Sequence, residues 1–364
     1  MNALSAPGKL FLAGEYAVLD KGRPALVAAV DRALHAEWEL LPEDKVELVH
    51  EPSGARVNGT LMKGLLLWTG GRDELRFAMR AASMATLLCR EEGREARGFR
   101  LVFKDELAVT VEGRSLKLGL GGSAAATVLA VRAACAAHGR TNTPEDTLAI
   151  ACAAHWLEQG GQGSGGDVAA SALGGLLELR VQHPWTKAED VIARPLRALL
   201  DQPPLAITRL KAPPDLRLLI AFSGRSASTQ NLLGEVCAYE AEAPARYKRI
   251  LDEITFACEG LRDALRAAHQ EHGAYEAVLA AVRRAGVAMA VLGDESGAQI
   301  MTPELMHVTA LATLNGCAAK PSGAGGGDCA VVVCFGDERR AGMKRLLESY
   351  GYPAQVIDIA PKPQ

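Results

Sequence analysis

Glycine sets the tightest limit on what this chain can fold into. Of its 364 residues 37 are glycine, and many fall in three clusters: GLGGSAA at 119–125, GGQGSGGDVAAS at 160–171 and PSGAGGGDCAVVV at 321–333. Each glycine adds backbone entropy that folding must remove, so such runs beside strands and helices imply backbone brought close to a ligand. In the first cluster Gly119, Leu120, Gly121 and Gly122 lead into an alanine-rich helix expected to begin at about Ser123, followed by Ala124 and Ala125. Unpaired N–H groups and the positive end of a helix dipole then face outward, and a polyphosphate suits them best. Lys117, just upstream, could add charge. The other reading is a tight turn between a strand and a buried helix. The segment is not a Walker A loop, since no Gly-Lys-Ser/Thr closes it, and its GxGG spacing is not the dinucleotide fingerprint.

The second cluster places Ser164, Gly165 and Gly166 before Asp167, which heads a short alanine-rich helix. A carboxylate there is stabilised as the anion, either as a cap or as a group facing a ligand. The third cluster places Ser322, Gly323, Gly325 and Gly326 before a uniformly apolar strand, with Asp328 either capping the loop or touching a ligand. One further segment, APGKLFLAGEYAVL at 6–19, puts Lys9 at the mouth of the apolar run Leu10–Ala13 and follows it with Glu15 and Tyr16. Lys9 alone reads as a solvated edge lysine; beside three ligand-approaching loops it reads as a site residue.

Length favours two domains, and 49% hydrophobic residues supply a core. A formal net charge of −3 with no basic stripe argues against a nucleic-acid partner. The N-terminus lacks the basic and long apolar regions of a signal peptide. The apolar stretch 124–137 is broken by Arg132 and too short to span a bilayer, so no membrane association and a cytoplasmic location are expected. The 8 cysteines show no CxxC spacing and read as buried free thiols rather than a zinc site.

Periodicity predicts strands at 25–40, 45–50, 98–104, 176–182, 216–224 and 354–359. Helices are predicted at 73–93, from about 123, and near 228–238, 245–270, 274–292, 303–315 and 338–350. Thr143, Pro144 and Asp146 form a capping-box variant that starts another helix. The proline-containing segment 195–214 reads as a linker. Mixed strands and helices in both halves predict an α+β fold of two domains, 1–213 and 214–364, with a cleft between them.

The segments PGKLFLAGEYAVL, GLGGSAA and KPSGAGGGDCAVV, in that order, resemble the three signature motifs of the GHMP small-molecule kinases, and the likeness runs from residue 6 to about 335. Within that superfamily the chain is most similar to the phosphomevalonate kinases, through Glu-Tyr-Ala after the first-motif glycine, GSGGDVAAS at 163–171, SGRSASTQNLL at 223–233 and the full SGAGGGDC.

The resemblance implies ATP and Mg2+, and phosphorylation of 5-phosphomevalonate to 5-diphosphomevalonate in the mevalonate route to isoprenoids. Mevalonate kinase, or another kinase of the superfamily, is the nearest alternative, and a regulator without turnover a more distant one. The implied catalytic pair is Lys9 and Asp167, with Asp167 weighted toward orientation and pairing with Lys9. ATP would lie on Lys117, Gly119, Leu120, Gly121, Gly122, Ser123, Ala124 and Ala125. The acceptor would meet Ser164, Gly165, Arg225, Ser226, Ser322, Gly323, Gly325 and Gly326. Ser228 and Thr229 are further hydroxyls of the 223–233 segment. Tyr16 either contacts the acceptor or belongs to the core. Ser123 is the implied magnesium ligand, and Glu158 is either a second one or an exposed acid at a helix end. The family's second motif usually carries Gly-Leu-Gly-Ser-Ser-Ala; Gly122 stands here in place of the first serine. A small-molecule substrate is the expected partner, with a monomer and a homodimer both open.

Overall fold

Two long strands form the spine of the molecule. β1 (Asn2–Ala13) runs antiparallel along β2 (Pro24–Leu40), with Lys9 opposite Ala29. In this computed structural model the described residues are 1–361 apart from 43, 71, 72, 106, 112, 113, 118, 225–228, 271–273 and 328; for 108–111, 114–117, 229 and 230 only the backbone is described. The chain continues through β3 (Lys45–His50), β4 (Ala55–Met62), β5 (Leu65–Thr69), α1 (Arg76–Glu91), β6 (Phe99–Phe103), β7 (Ala108–Val111) and β8 (Arg114–Lys117). Then come α2 (Gly122–Ala137), α3 (Pro144–Glu158), α4 (Gly166–Leu173), β9 (Leu176–Val181), the short α5 (Glu189–Ile192) and β10 (Leu205–Leu210).

These strands, β7 and β8 apart, make an eight-stranded sheet of order β10-β9-β2-β6-β3-β4-β5, with β1 added on β2. β2 is long enough to pair β9 through Pro24–Ala28 and β6 through Ala36–Leu40. Helices α2 and α4 pack on β1 and β2. α2 is hydrophobic around most of its circumference, and its alanines allow close approach to α1, α3 and α4. The capping box expected at Thr143 is present, with Thr143 accepting from the Asp146 N–H and Pro144 at the first helical position.

A second sheet follows. β11 (Leu216–Phe222) leads into α6 (Thr229–Glu242), α7 (Pro244–Gln270), α8 (Tyr275–Ser296) and α9 (Pro303–Leu314). The chain closes with β12 (Ala318–Pro321), β13 (Cys329–Phe335), α10 (Asp337–Ser349) and β14 (Ala354–Ile357), giving the strand order β12-β13-β11-β14. β11 lies between two neighbours and is almost wholly buried, as its uniformly apolar sequence predicts. The main apolar core runs without a break from the eight-stranded sheet into Leu218, Ile220, Val331 and Ile357 of the smaller one.

Two expectations need correction. The segment 195–214 is not an open linker: it holds β10, which pairs with β9 in register from Leu205 opposite Val181 to Leu210 opposite Leu176. Its prolines sit outside the paired residues, where no N–H is missed. The helix expected over 73–93 begins with a 3-10 turn, Asp73–Leu75, and becomes α-helical at Arg76. Among the described residues no helix is long and apolar enough to cross a membrane. Seven of the eight cysteines are buried free thiols, and Cys237 is exposed.

Candidate active site

The three glycine loops and the N-terminal segment meet at one cavity of about 690 Å³. α2 starts at Gly122, with Gly121 at its cap in the left-handed region (φ 82°). The first helical hydrogen bond runs from the Ala125 N–H to the Gly121 carbonyl. The amides of Gly122, Ser123 and Ala124 therefore have no partner within the helix. Ala125 does not join them: its amide closes the helix and its side chain is fully buried.

Lys9 clamps this loop to β1. Its N–H donates to the Leu120 carbonyl at 2.8 Å, and its ammonium donates to the Gly119 carbonyl at 2.6 Å. A Cβ built on Gly121 would lie 3.1 Å from Lys9 Cγ and 3.6 Å from Asp167 Cβ. Glycine at 121 is thus what lets Lys9 and Asp167, far apart in the chain, converge on the same helix start. Gly122 faces open space: a Cβ added there would meet nothing within 4 Å.

Asp167 lies in the first turn of α4. Its Oδ1 accepts the Val168 N–H at 2.9 Å, and its Oδ2 lies 3.8 Å from His155 Nε2. Among the described residues no ion pair joins Lys9 to Asp167. The ammonium is turned to Gly119 and the carboxylate to His155, so the direct pairing expected from sequence is replaced by shared proximity.

Nothing in the sequence singles out His155, on α3. It is 1% exposed, stands 4.7 Å from the Phe77 ring between centroids, and contacts Ser123 Oγ through Nε2 at 3.1 Å. Burial lowers its pKa below the ordinary imidazole value, with the Asp167 charge opposing that shift. The ring is accordingly neutral near pH 7. A histidine in an apolar helix reads as a core residue by default, and only the fold places it between α2 and α4.

The third loop is laced to the first segment. The Phe11 N–H donates to Ser322 Oγ at 3.2 Å, and Tyr16 Oη donates to the Ala324 carbonyl at 2.6 Å. Burial, then the Glu15 charge, pushes the Tyr16 phenol well up, which keeps it protonated and donating. Tyr16 itself has positive φ (61°), a conformation held by this tether. Beneath it Lys320 (0% exposed) forms an ion pair with Glu15 (4%), a contact with no local signature in the sequence.

Of the remaining expected residues, Ser123, Ser164, Ser322 and Gly323 line the cavity. Gly165, Gly325 and Gly326 do not. Gly165 turns toward Cys152 and Leu205, beside a hollow of only about 10 Å³ that holds nothing larger than water. Gly325 packs on the Ile300 carbonyl, and the Gly326 N–H donates to that same carbonyl at 2.8 Å. Glu158 does not line the cavity and is held by Arg80 at 3.2 Å, with Arg76 at 3.9 Å. Arg225, Ser226, Ser228, Asp328 and the side chains of Lys117 and Thr229 lie outside the described residues. The cavity is also lined by the apolar Leu34, Phe77, Phe103 and Leu107 and by the polar His50, Ser53, Asp73 and Glu74.

Residues 77–175 match the family model for the GHMP kinases N terminal domain. The chain is 32% identical to the phosphomevalonate kinase of Streptomyces sp. (strain CL190) over 351 residues, covering 92% of this chain and 90% of that one. It is 25% identical to the mevalonate kinase of Thermococcus sibiricus over 338 residues, 89% of this chain and 86% of the relative. Its fold superposes on the Streptococcus pneumoniae phosphomevalonate kinase, solved in complex with phosphomevalonate and AMPPNP. That match has a TM-score of 0.82 and 21% identity and covers 98% and 100% of the two chains.

Proposed function

The chain belongs to the GHMP kinases, and from that premise we propose that it transfers the γ-phosphoryl group of ATP to 5-phosphomevalonate, giving 5-diphosphomevalonate. The observation that carries this reading is the convergence of Lys9 and Asp167 on the open helix start at Gly121.

Phosphoryl transfer needs positioning and charge neutralisation more than covalent help. The amides of Gly122, Ser123 and Ala124 bind the oxygens of the ATP tail, and the apolar side chains Leu34, Phe77, Phe103 and Leu107 suit its base. Lys9, whose ammonium lies 3.9 Å from a Cβ position on Gly323, faces the space between the first and third loops. There it stabilises negative charge that grows on the transferring group. Asp167, fixed through the Val168 N–H, orients the acceptor. The acceptor oxygen belongs to a phosphate already ionised near neutrality, so little general-base help is required. Arg225, which lies outside the described residues, is the cation proposed for the acceptor's own phosphate.

Magnesium fits this site in one form only. Among the described residues no cluster of three or more His, Cys, Asp or Glu could hold a metal, and Glu158 is committed to Arg80. A magnesium ion bound mainly by ATP phosphates and water needs only one or two protein donors, and Ser123 Oγ on the cavity wall is such a donor. When bound it would neutralise phosphate charge.

The test is ATP consumption with 5-phosphomevalonate, mevalonate, homoserine and galactose, with products identified. Turnover of 5-phosphomevalonate to the diphosphate is expected. Preference for mevalonate would reassign the acceptor within the family, and ligand binding without turnover on any of the four would refute an enzymatic role.

A further inference from the structure

Ser123 and Asp167 sit on different helices, α2 and α4, and the proposed reaction gives them different tasks, the nucleotide tail and the acceptor. Nothing in the backbone fixes the Ser123 hydroxyl, which has three staggered positions open to it. Its neighbour at 122 is glycine, so Ser123 supplies the sole hydroxyl of the 119–125 loop, and its direction matters more than where two hydroxyls share the task. A side chain that approaches both Ser123 and Asp167 comes from a third helix. His155 Nε2 lies 3.1 Å from Ser123 Oγ and 3.8 Å from Asp167 Oδ2.

We propose that His155 is a positioning residue, an imidazole that fixes the Ser123 hydroxyl and the Asp167 carboxylate relative to one another and so couples nucleotide binding to acceptor orientation. This rests on the phosphotransfer reading of the site.

The hydrogen-bond inventory decides how the ring is used. A carboxylate only accepts, so the tautomer with the proton on Nε2 is the one that suits Asp167, and the Gln159 side chain is a further hydrogen-bond partner of the ring. In that tautomer Nε2–H donates to Ser123 Oγ and lies in the field of the Asp167 charge. With one lone pair of Oγ filled from behind, its remaining lone pair and its proton are turned toward the cavity. The ring cannot drift from this place: it is 1% exposed, it lies against Phe77, and α3 packs on both α2 and α4. A histidine serving only to fill space needs none of this polar geometry.

The test is a double-mutant cycle on equilibrium binding of AMPPNP with Mg2+, using wild type, Ser123→Ala, His155→Phe and the double variant. Each single change is expected to weaken binding about five- to tenfold, the worth of one hydrogen bond, and the double variant to be no weaker than either single. His155→Gln, whose amide can place a donor near the Nε2 position, should bind within about threefold of wild type. Should the phenyl ring prevent folding, His155→Leu takes its place in the cycle. Effects that multiply in the double variant, or a folded His155→Phe that binds AMPPNP as wild type does, would overturn the proposal. Binding is read without an acceptor, so inactivity toward 5-phosphomevalonate would count against the proposed reaction and leave this result standing on its own.

Discussion

The loops at 119–122 and 322–327 are both glycine-rich, both border the cavity, and use glycine for opposite purposes. At Gly122 the missing side chain leaves empty space, and the amides beside it stay open to a ligand. At Gly325 the missing side chain is filled by protein, since a Cβ there would lie 2.5 Å from the Ile300 carbonyl oxygen. The first loop is a cradle and the third a latch. The latch is fastened by Tyr16 on Ala324, by Ser322 on Phe11 and by the buried Lys320–Glu15 pair. Glycine count alone does not separate binding from packing; what stands opposite each Cα does.

Substitutions can break or sharpen this contrast. The largest effect is expected from the latch. Lys320→Met leaves Glu15 buried with no countercharge and should cost about 3–5 kcal/mol of stability, read from the urea midpoint. Adding Glu15→Gln should recover part of that loss, and a near-wild-type Lys320→Met would deny the pair its structural role. Next comes the cradle's own cation. Lys9→Ala should lower kcat by about a hundred- to a thousandfold, roughly 3–4 kcal/mol, while the unfolding transition moves little. An unchanged kcat would remove Lys9 from the transfer step.

Gly325→Ala combines a positive φ (77°) with a backbone clash and should destabilise by about 2–3 kcal/mol. Thermal melting tests this, and full tolerance would show that the latch yields. Smallest of all, Gly122→Ser enters open space at a residue without positive φ and should change stability by less than about 0.5 kcal/mol. Nucleotide titration of the same variant should give affinity near that of wild type; abolished binding would mean that the cradle, like the latch, has no room.

Much of the site was legible in the sequence because its parts are local. The helix start at Gly121–Ser123 follows from glycine chemistry next to an alanine-rich run, and Asp167 heads its helix as its place after three glycines requires. Thr143 and Pro144 start α3 where their capping chemistry predicts. The misread parts are those whose role depends on a partner far along the chain. Residues 205–210 look like linker until β9 offers them an edge. Gly326 looks like ligand-facing backbone until Ile300 accepts its N–H.

By itself, then, the sequence determined the α+β character, the starts of α2, α3 and α4 and the family resemblance, and it marked Lys9 and Asp167 as candidates. Each of these is written in neighbouring residues, as periodicity, capping or a short motif. Tertiary structure alone decided that Lys9 reaches Gly119 rather than Asp167, that Glu158 turns to Arg80, and that His155 stands between Ser123 and Asp167. The physical reason is one of range. Backbone propensity acts within a turn or a strand, whereas a side chain's hydrogen-bond partner is whichever group packing brings within about 3 Å, and no local rule names that group in advance.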